Sequence, residues 1–264
     1  MEIPLTVADH LNRAELVYGD RIAVLDEPDQ PAPPLPDLTY RRFAEMARGL
    51  AAGLDDLGLD HGARVAMISQ NAARMLVFLF GTSAFGRIGV PINFRLNADE
   101  VQYIVEHSGA EVLFMDPELV ETLGGVKADR RFVLGEEADS LIVGDPDPRP
   151  WSPDEGATAT INYTSGTTAR PKGVEMTHRN LWLNAAVFGW QSGVSDRDVY
   201  LHTLPMFHCN GWGMPYAMTA MGGQHVVLRK VDGSEILRRV EDHKVSLLCG
   251  APAVITAVLD AAAD

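Results

Sequence analysis

Apolar residues recur at steps of three and four along segment 39–57. This spacing places them on one face of an α-helix and therefore predicts an amphipathic helix. The residues that follow the spacing are Phe43, Met46, Leu50, Leu54 and Leu57. Gly58 and Gly62 end this helix, and a short strand at 64–69 then leads to an apolar helix at 72–85.

The alternation of helix and strand extends along the rest of the chain. Strands are predicted at 88–92, 111–115, 158–163, 199–204, 225–228 and 245–249. Helices are predicted at 5–18, 98–107, 180–191 and 234–243, after Gly211, and at the C-terminal end near Leu259. Alternation of this kind favours a parallel sheet covered by helices, so the predicted fold class is α/β.

Segment 117–153 lacks a regular apolar period and contains Asp-Pro pairs and further prolines. Such a segment is typical of an irregular connection on the surface. We therefore expect an approximate division into subdomains 1–150 and 151–264.

Acidic residues outnumber basic ones by 36 to 22, which gives a formal net charge of -14 over 264 residues. A field of this sign repels polyanions and argues against nucleic acid as a partner. A single nucleotide remains compatible with the charge, because backbone amides and one lysine can bind phosphate within a local cleft.

The N-terminus lacks a basic segment followed by an apolar core, and the longest apolar stretches, 75–85 and 245–259, are short or are broken by Gly250 and Pro252. We therefore expect a cytoplasmic protein without a transmembrane segment. The histidines and the two cysteines, Cys209 and Cys249, show no metal-ligand spacing, so no zinc site is predicted.

Segment 164–173 combines small, hydroxylated and basic residues at the end of a predicted strand, in the order Thr-Ser-Gly-Thr-Thr-Ala-Arg-Pro-Lys-Gly. Its hydroxyls and backbone amides suit phosphate oxygens, Lys172 adds positive charge, and Gly173 permits a turn. The small and hydroxylated residues are Thr164, Ser165, Gly166, Thr167 and Thr168. We interpret the segment as a phosphate-binding loop joining a strand to a helix that Thr177 caps.

Two other interpretations of this loop are weaker. A Walker A loop requires Gly-Lys-Ser/Thr, whereas Lys172 follows Pro171 and precedes Gly173. Turns rich in Ser, Thr and Gly also occur where they only satisfy backbone groups. The Pro-Lys-Gly sequence at this spacing favours phosphate binding.

Segment 163–174, followed by Thr-His-Arg-Asn at 177–180, resembles the signature of the adenylate-forming superfamily. This superfamily includes acyl-CoA synthetases, luciferases and the adenylation domains of peptide synthetases. Ala169 departs from the pattern, because a glycine is more usual there. The resemblance implies the layered αβαβα architecture of the superfamily's large domain, incomplete at its C-terminal side.

Segment 204–216, with the sequence Leu-Pro-Met-Phe-His-Cys-Asn-Gly-Trp-Gly-Met-Pro-Tyr, is similar to a stretch of fatty-acyl-CoA synthetases. The resemblance implies that His208 borders the acyl carboxylate and that Trp212 gates the acyl tunnel. Gly250 resembles part of a substrate-pocket turn, although Pro252 also fits the first position of a helix. Without the resemblance, a satisfied core histidine is the better interpretation of His208.

The resemblance further implies ATP-dependent activation of a carboxylic acid of the fatty-acid type, followed by transfer of the acyl group to coenzyme A. Lys172 and His208 are then the catalytic residues, the loop holds the β- and γ-phosphates, and Thr167 helps to place Mg²⁺. Residues that match the ribose-binding, further Mg²⁺-binding and C-terminal lysine motifs would lie beyond Asp264. We therefore expect that these 264 residues alone do not complete adenylation.

Two alternatives stay open. The chain could belong to an enzyme that adenylates an aryl or amino acid, although the His-Cys-Asn-Gly-Trp block argues against it. It could instead be a non-catalytic remnant that binds a nucleotide or a partner chain. An open sheet edge would favour self-association, so a homo-oligomer is also a hypothesis.

Overall fold

The computed structural model describes residues 3–144, 146–164 and 170–263. The helices are α1 (Val7–Tyr18), α2 (Tyr40–Asp56), α3 (Ala73–Ser83), α4 (Ala98–Ser108), α5 (Val120–Leu123), α6 (Glu136–Asp139), α7 (His178–Gln191), α8 (Cys209–Trp212), α9 (Met214–Met221), α10 (Gly233–His243) and α11 (Pro252–Ala263). A 3-10 turn covers Pro117–Leu119.

The strands are β1 (Ile22–Leu25), β2 (Leu38–Thr39), β3 (Arg64–Ile68), β4 (Ile88–Ile92), β5 (Ala110–Met115), β6 (Arg130–Val133), β7 (Thr158–Thr164), β8 (Lys172–Thr177), β9 (Val199–His202), β10 (Gln224–Val227) and β11 (Leu247–Leu248). They form a six-stranded sheet in the order β6-β5-β3-β4-β7-β8 and a five-stranded sheet in the order β11-β9-β10-β1-β2. Only β8 and β2 pair antiparallel with their neighbours among these strands.

The predicted α/β class is confirmed by these two mostly parallel sheets and their helices. Both sheets combine strands from either side of residue 150, and the largest apolar cluster includes side chains from α1, α2, α3, α7 and α9. The subdomain division near residue 150 stays a prediction. No helix in the described ranges is both long and apolar enough to cross a membrane.

The periodicity of segment 39–57 correctly predicted α2. The Thr39 hydroxyl accepts a hydrogen bond from the Arg42 backbone amide, 3.2 Å, and so caps the first turn. Phe43 and Leu54 are fully buried, and burial of each such side chain stabilises the fold by about 1.5–3 kcal/mol.

The loop at 164–173 connects two strands, which corrects the prediction that it joins a strand directly to a helix. β8 follows the loop and pairs antiparallel with β7, with Thr164 opposite Lys172. Most β8 side chains are exposed, so the strand shows no apolar signature of burial. Its backbone hydrogen bonds to β7 decide its conformation, and Thr177 still caps α7 by accepting from the Asn180 amide, 3.1 Å.

Segment 117–153 is also more regular than predicted, because it contains β6 and α6. β6 lies at the edge of its sheet and pairs only with β5 among the described strands. An edge strand with half of its side chains in solvent needs no alternating apolar pattern, which explains why the sequence did not indicate it.

Candidate functional site

Both described ends of the loop at 164–173 border a cavity of about 410 Å³. Thr164 contributes from the end of β7, and Arg170 and Pro171 contribute from the segment before β8. The opposite wall comes from the loop after β4, from α4, and from Pro205, Phe207 and His208. Three separate parts of the chain therefore meet at one cavity.

Sheet topology explains this meeting. β4 and β7 are parallel neighbours, so their carboxyl ends lie at the same edge of the sheet. Asn93 follows the end of β4, and Thr164 is the last residue of β7. The carboxyl ends of parallel strands are the usual place for ligands in open α/β sheets.

Thr164 and His208, which the sequence analysis assigned to one site, both line this cavity. Lys172 and Gly173 are exposed on β8 and are not among its described lining residues. Ser165, Gly166, Thr167 and Thr168 lie outside the described residues. The structure thus brings together part of the predicted site.

Trp212 and Gly250 do not line this cavity in the described part of the chain. Trp212 is 54% exposed, four residues beyond His208, and Gly250 follows β11. Their roles in substrate binding stay predictions.

Two arginines that the sequence analysis did not select also line the cavity. Arg95 lies over the Phe94 ring, 4.6 Å from its centroid, and Arg170 lies over the Tyr103 ring at 5.4 Å. In the described part of the chain, both guanidinium groups therefore rest on aromatic rings rather than on carboxylates, which leaves their charge available to an anion. The sequence signal that could have indicated Arg95 is its position shortly after the end of the strand predicted at 88–92.

α4 contacts both described ends of the loop at 164–173. The Tyr103 hydroxyl donates to the Pro171 carbonyl, 3.4 Å, and the His107 Nδ1 lies 2.8 Å from the Tyr163 hydroxyl. Burial raises the pKa of the Tyr163 phenol above its ordinary value. These contacts hold the two loop ends beside the same helix.

The chain turns in an unusual way directly after His208. All residues from Cys209 to Gly213 have positive φ, with values of 47°, 45°, 57°, 60° and 76° in order. α8 is therefore a left-handed turn, and the right-handed helix begins only at Met214. A left-handed conformation costs a residue with a side chain about 1–2 kcal/mol, least for asparagine.

A larger cavity, about 640 Å³, shares no described lining residue with this one. Its arginines already pair with carboxylates, as in Arg239 with Glu27 at 2.6 Å and Arg238 with Glu235 at 2.6 Å. Because these charges are satisfied within the protein, this cavity is the weaker candidate for an anionic ligand.

The fold and the site define an α/β protein in which the two described ends of a Ser/Thr-rich loop border one cavity together with Arg95 and His208. Residues 11–264 match the AMP-binding enzyme family, and the chain belongs to that family. The resemblance seen in the loop sequence is thereby confirmed.

Several relatives of this chain are named as CoA ligases. The chain is 32% identical to the peroxisomal acetate/butyrate–CoA ligase AAE7 of Arabidopsis thaliana over 97% of this chain and 49% of that protein. It is 33% identical to 4-hydroxybutyrate–CoA ligase 2 of Metallosphaera sedula, again over 97% of this chain and 49% of the relative. The chain spans about half the length of the curated relatives it matches.

A solved structure shares the fold. The long-chain-fatty-acid–CoA ligase of Archaeoglobus fulgidus superposes with a TM-score of 0.89 at 26% identity, covering 98% of this chain and 54% of that structure. The comparison agrees with the α/β architecture described above.

Proposed function

We propose that this chain takes part in ATP-dependent activation of an aliphatic carboxylic acid, followed by transfer of the acyl group to coenzyme A. The observation that carries the proposal is the meeting of Thr164, Arg170 and His208 at one cavity. Membership of the AMP-binding enzyme family and similarity to named CoA ligases support it.

In the proposed reaction, a carboxylate oxygen attacks the α-phosphorus of ATP, and the bond to the leaving pyrophosphate breaks. The thiol sulfur of coenzyme A then attacks the acyl carbon, loses its proton, and displaces AMP. Negative charge develops or is transferred in both steps. Fixed positive groups and hydrogen-bond donors are therefore the main means of stabilising the two transition states.

The residues assigned to the site have the following proposed parts in this reaction. Thr164 and the loop at 165–168 donate to phosphate oxygens, and Lys172 with Arg170 and Arg95 neutralises the polyphosphate. His208 borders the carboxylate. One hydrogen bond to a charged group contributes about 1.5–3 kcal/mol, or about tenfold to a hundredfold in affinity.

Mg²⁺ is the proposed metal, and Thr167 is its proposed protein ligand. The described residues contain no group of three or more His, Cys, Asp or Glu placed to hold a metal ion. A site with a single hydroxyl ligand suits a nucleotide-bound Mg²⁺, because this ion takes most of its ligands from phosphate and water and needs few from the protein. When bound, the ion would neutralise part of the phosphate charge.

The acid is proposed to be aliphatic because the named relatives act on acetate, butyrate, 4-hydroxybutyrate or long-chain fatty acids. Phe207 lines the cavity and packs edge to face against Phe94, with centroids 5.5 Å apart, so this part of the cavity wall is apolar. A cytoplasmic location and self-association stay predictions, and the Arabidopsis relative is named as peroxisomal.

Replacing Arg170 by alanine is expected to weaken ATP binding by about tenfold or more, because one charged contact to phosphate is lost. Isothermal calorimetry with ATP and Mg²⁺ measures the change. Arg197→Ala is the matched control, since Arg197 is exposed, lies outside the cavity and carries the same charge. Equal losses of ATP affinity in the two variants would contradict a direct contact from Arg170, because they would show that only the overall charge of the protein affects binding.

The expectation that these residues alone do not complete adenylation is tested by acid-dependent exchange of labelled pyrophosphate into ATP, with butyrate as the acid. Exchange requires reversible formation of the acyl-adenylate, whereas ATP binding does not. The prediction is that residues 1–264 alone bind ATP without exchange. Exchange above the level measured without acid would contradict it.

A further inference from the structure

His208 lies between two buried asparagine contacts that fix the chain around it. Asn162, on β7, donates from Nδ2 to the carbonyl of Phe207 at 3.0 Å and to Oδ1 of Asn210 at 3.0 Å. Asn162 and Asn210 are 5% and 0% exposed. The residues immediately before and two positions after His208 are therefore attached to the same β7 side chain.

The network is closed by further buried donors and acceptors. The Thr160 hydroxyl donates to Oδ1 of Asn162 at 3.2 Å, and Nδ2 of Asn210 donates to the Thr160 oxygen at 3.1 Å. Nδ2 of Asn210 also lies 3.4 Å from the Tyr216 hydroxyl. Each amide thus uses both its oxygen and its nitrogen, which orients it uniquely.

A third buried asparagine holds the start of the same segment. Oδ1 of Asn71 accepts from the backbone amide of Met206 at 2.9 Å, and Nδ2 donates to the carbonyls of His202 and Leu204, each at 3.0 Å. The segment that carries His208 is consequently anchored on both sides by side chains from other elements.

This arrangement costs folding free energy that an apolar core would not require. Buried polar groups require complete hydrogen bonding, and the left-handed turn at 209–213 is unfavourable for Cys209 and Trp212. Asn210 is the non-glycine residue type best suited to that conformation, so one side chain both tolerates the turn and joins it to β7. Strained backbone persists where the surrounding structure over-determines it.

We propose that Asn162 and Asn210 are positioning residues that hold His208 in register with the phosphate-binding end of β7. Asn162 precedes Thr164 by two residues on the same strand, so the two residues have a fixed relation along β7. The inference rests on the proposed function, in which Thr164 contacts phosphate and His208 borders the carboxylate. The two asparagines act through His208 and do not touch the substrate.

The test compares variants of the network with a variant that is destabilised elsewhere. Asn210→Gly removes the amide but keeps the left-handed turn favourable, and Thr160→Val removes the hydroxyl with little change of shape. Asp232→Ala is the control, since it removes the N-cap of α10, a bond of 2.8 Å to the Glu235 amide, and leaves the network intact.

The first readout needs no ligand. The imidazole Cε1–Hε1 signal of His208, assigned with His208→Gln, is expected to shift or split in Asn210→Gly and Thr160→Val. It should keep its wild-type position in Asp232→Ala. A wild-type His208 signal in both network variants would overturn the proposal, and so would loss of the folded spectrum in both, which would indicate a purely structural role.

The second readout separates the two halves of the site. In the network variants, affinity for butyryl-sulfamoyl adenosine, a stable acyl-adenylate analogue, should fall by about tenfold relative to Asp232→Ala, while ATP affinity changes much less. Equal losses for both ligands would overturn the proposal. Failure of the wild-type chain to bind either ligand would contradict the proposed function, while the His208 signal would still decide whether the network positions this residue.

Discussion

Replacing Arg229 by methionine is expected to lower the free energy of unfolding by about 3–5 kcal/mol, because it leaves the buried carboxylate of Asp116 without its arginine partner. Arg229 is 4% exposed and pairs with Asp116, 2% exposed, through bonds of 2.8 and 2.9 Å. Arg229 follows β10 and Asp116 follows β5, so this pair joins the two sheets. Urea denaturation followed by circular dichroism measures the loss.

Lys230→Met is the matched control for this prediction. Lys230 is next in the chain, its side chain is 69% exposed, and its bond to Glu118 is 3.4 Å long. Exposed ion pairs contribute about 0–1 kcal/mol, so this substitution should have little effect. Asp116→Leu combined with Arg229→Met should recover part of the loss, since the double variant leaves neither charge buried. Equal effects of the two single substitutions would contradict the prediction.

Acidification from pH 6.5 towards pH 4 is expected to destabilise the protein steeply. Burial lowers the pKa of His10 to about 4, with a smaller contribution from Arg13, and burial lowers the pKa of His178 to about 4 and that of His225 to about 3. In this range the unfolded chain therefore binds protons that the folded protein excludes. The stability that these neutral histidines provide is complete above about pH 6.5 and is lost as the pH falls towards their folded values.

Each of these histidines contributes up to about 1.4 kcal/mol per pH unit in that window, so the three together reach about 4 kcal/mol per pH unit. Carboxylates act at lower pH, because ion pairing with Arg238 and Arg239 lowers the pKa of Glu235 to about 2 despite partial desolvation. Their contribution is lost only below the usual range of glutamate. The measurement is urea denaturation at pH 7.5, 6.5, 5.5 and 5.0.

A single substitution isolates one histidine in this measurement. His10 stacks on Trp182 with centroids 5.6 Å apart, and its Nε2 has no hydrogen-bond partner among the described residues. His10→Phe preserves the stacking and should reduce the slope of stability against pH by about 1.4 kcal/mol per unit. His61→Gln, which removes a histidine at an exposed position, is the control. An unaltered slope in His10→Phe would show that the lowered pKa of His10 does not contribute to the pH dependence of stability.

The helices that cover the sheets were the most predictable part of the fold. The three-and-four spacing in 39–57 and the cap at Asn97 locate α2 and α4 within one or two residues. Local periodicity and capping suffice there, because a helix makes its backbone hydrogen bonds within its own segment. β8 was missed for the opposite reason. Its exposed side chains carry no pattern, and its hydrogen bonds go to β7.

The candidate site was predictable only in part. The loop and the block around His208 were visible as motifs, whereas Arg95 and the buried asparagines were not. A buried Asn162 has the same sequence signature as a surface asparagine, and its role depends on the carbonyl and amide that the fold brings within 3.0 Å. The left-handed turn after His208 likewise left only Asn-Gly at 210–211 as a local sign.

The loop from Thr164 to Gly173 shows what each level determined. The sequence alone determined its chemistry, small hydroxylated residues followed by Pro-Lys-Gly, and with it membership of the family. Tertiary structure decided that Thr164 and His208 meet at one cavity while Lys172 is exposed on β8. The reason is that parallel strands place their carboxyl ends at a common edge, so residues distant along the chain become neighbours only when the sheet forms.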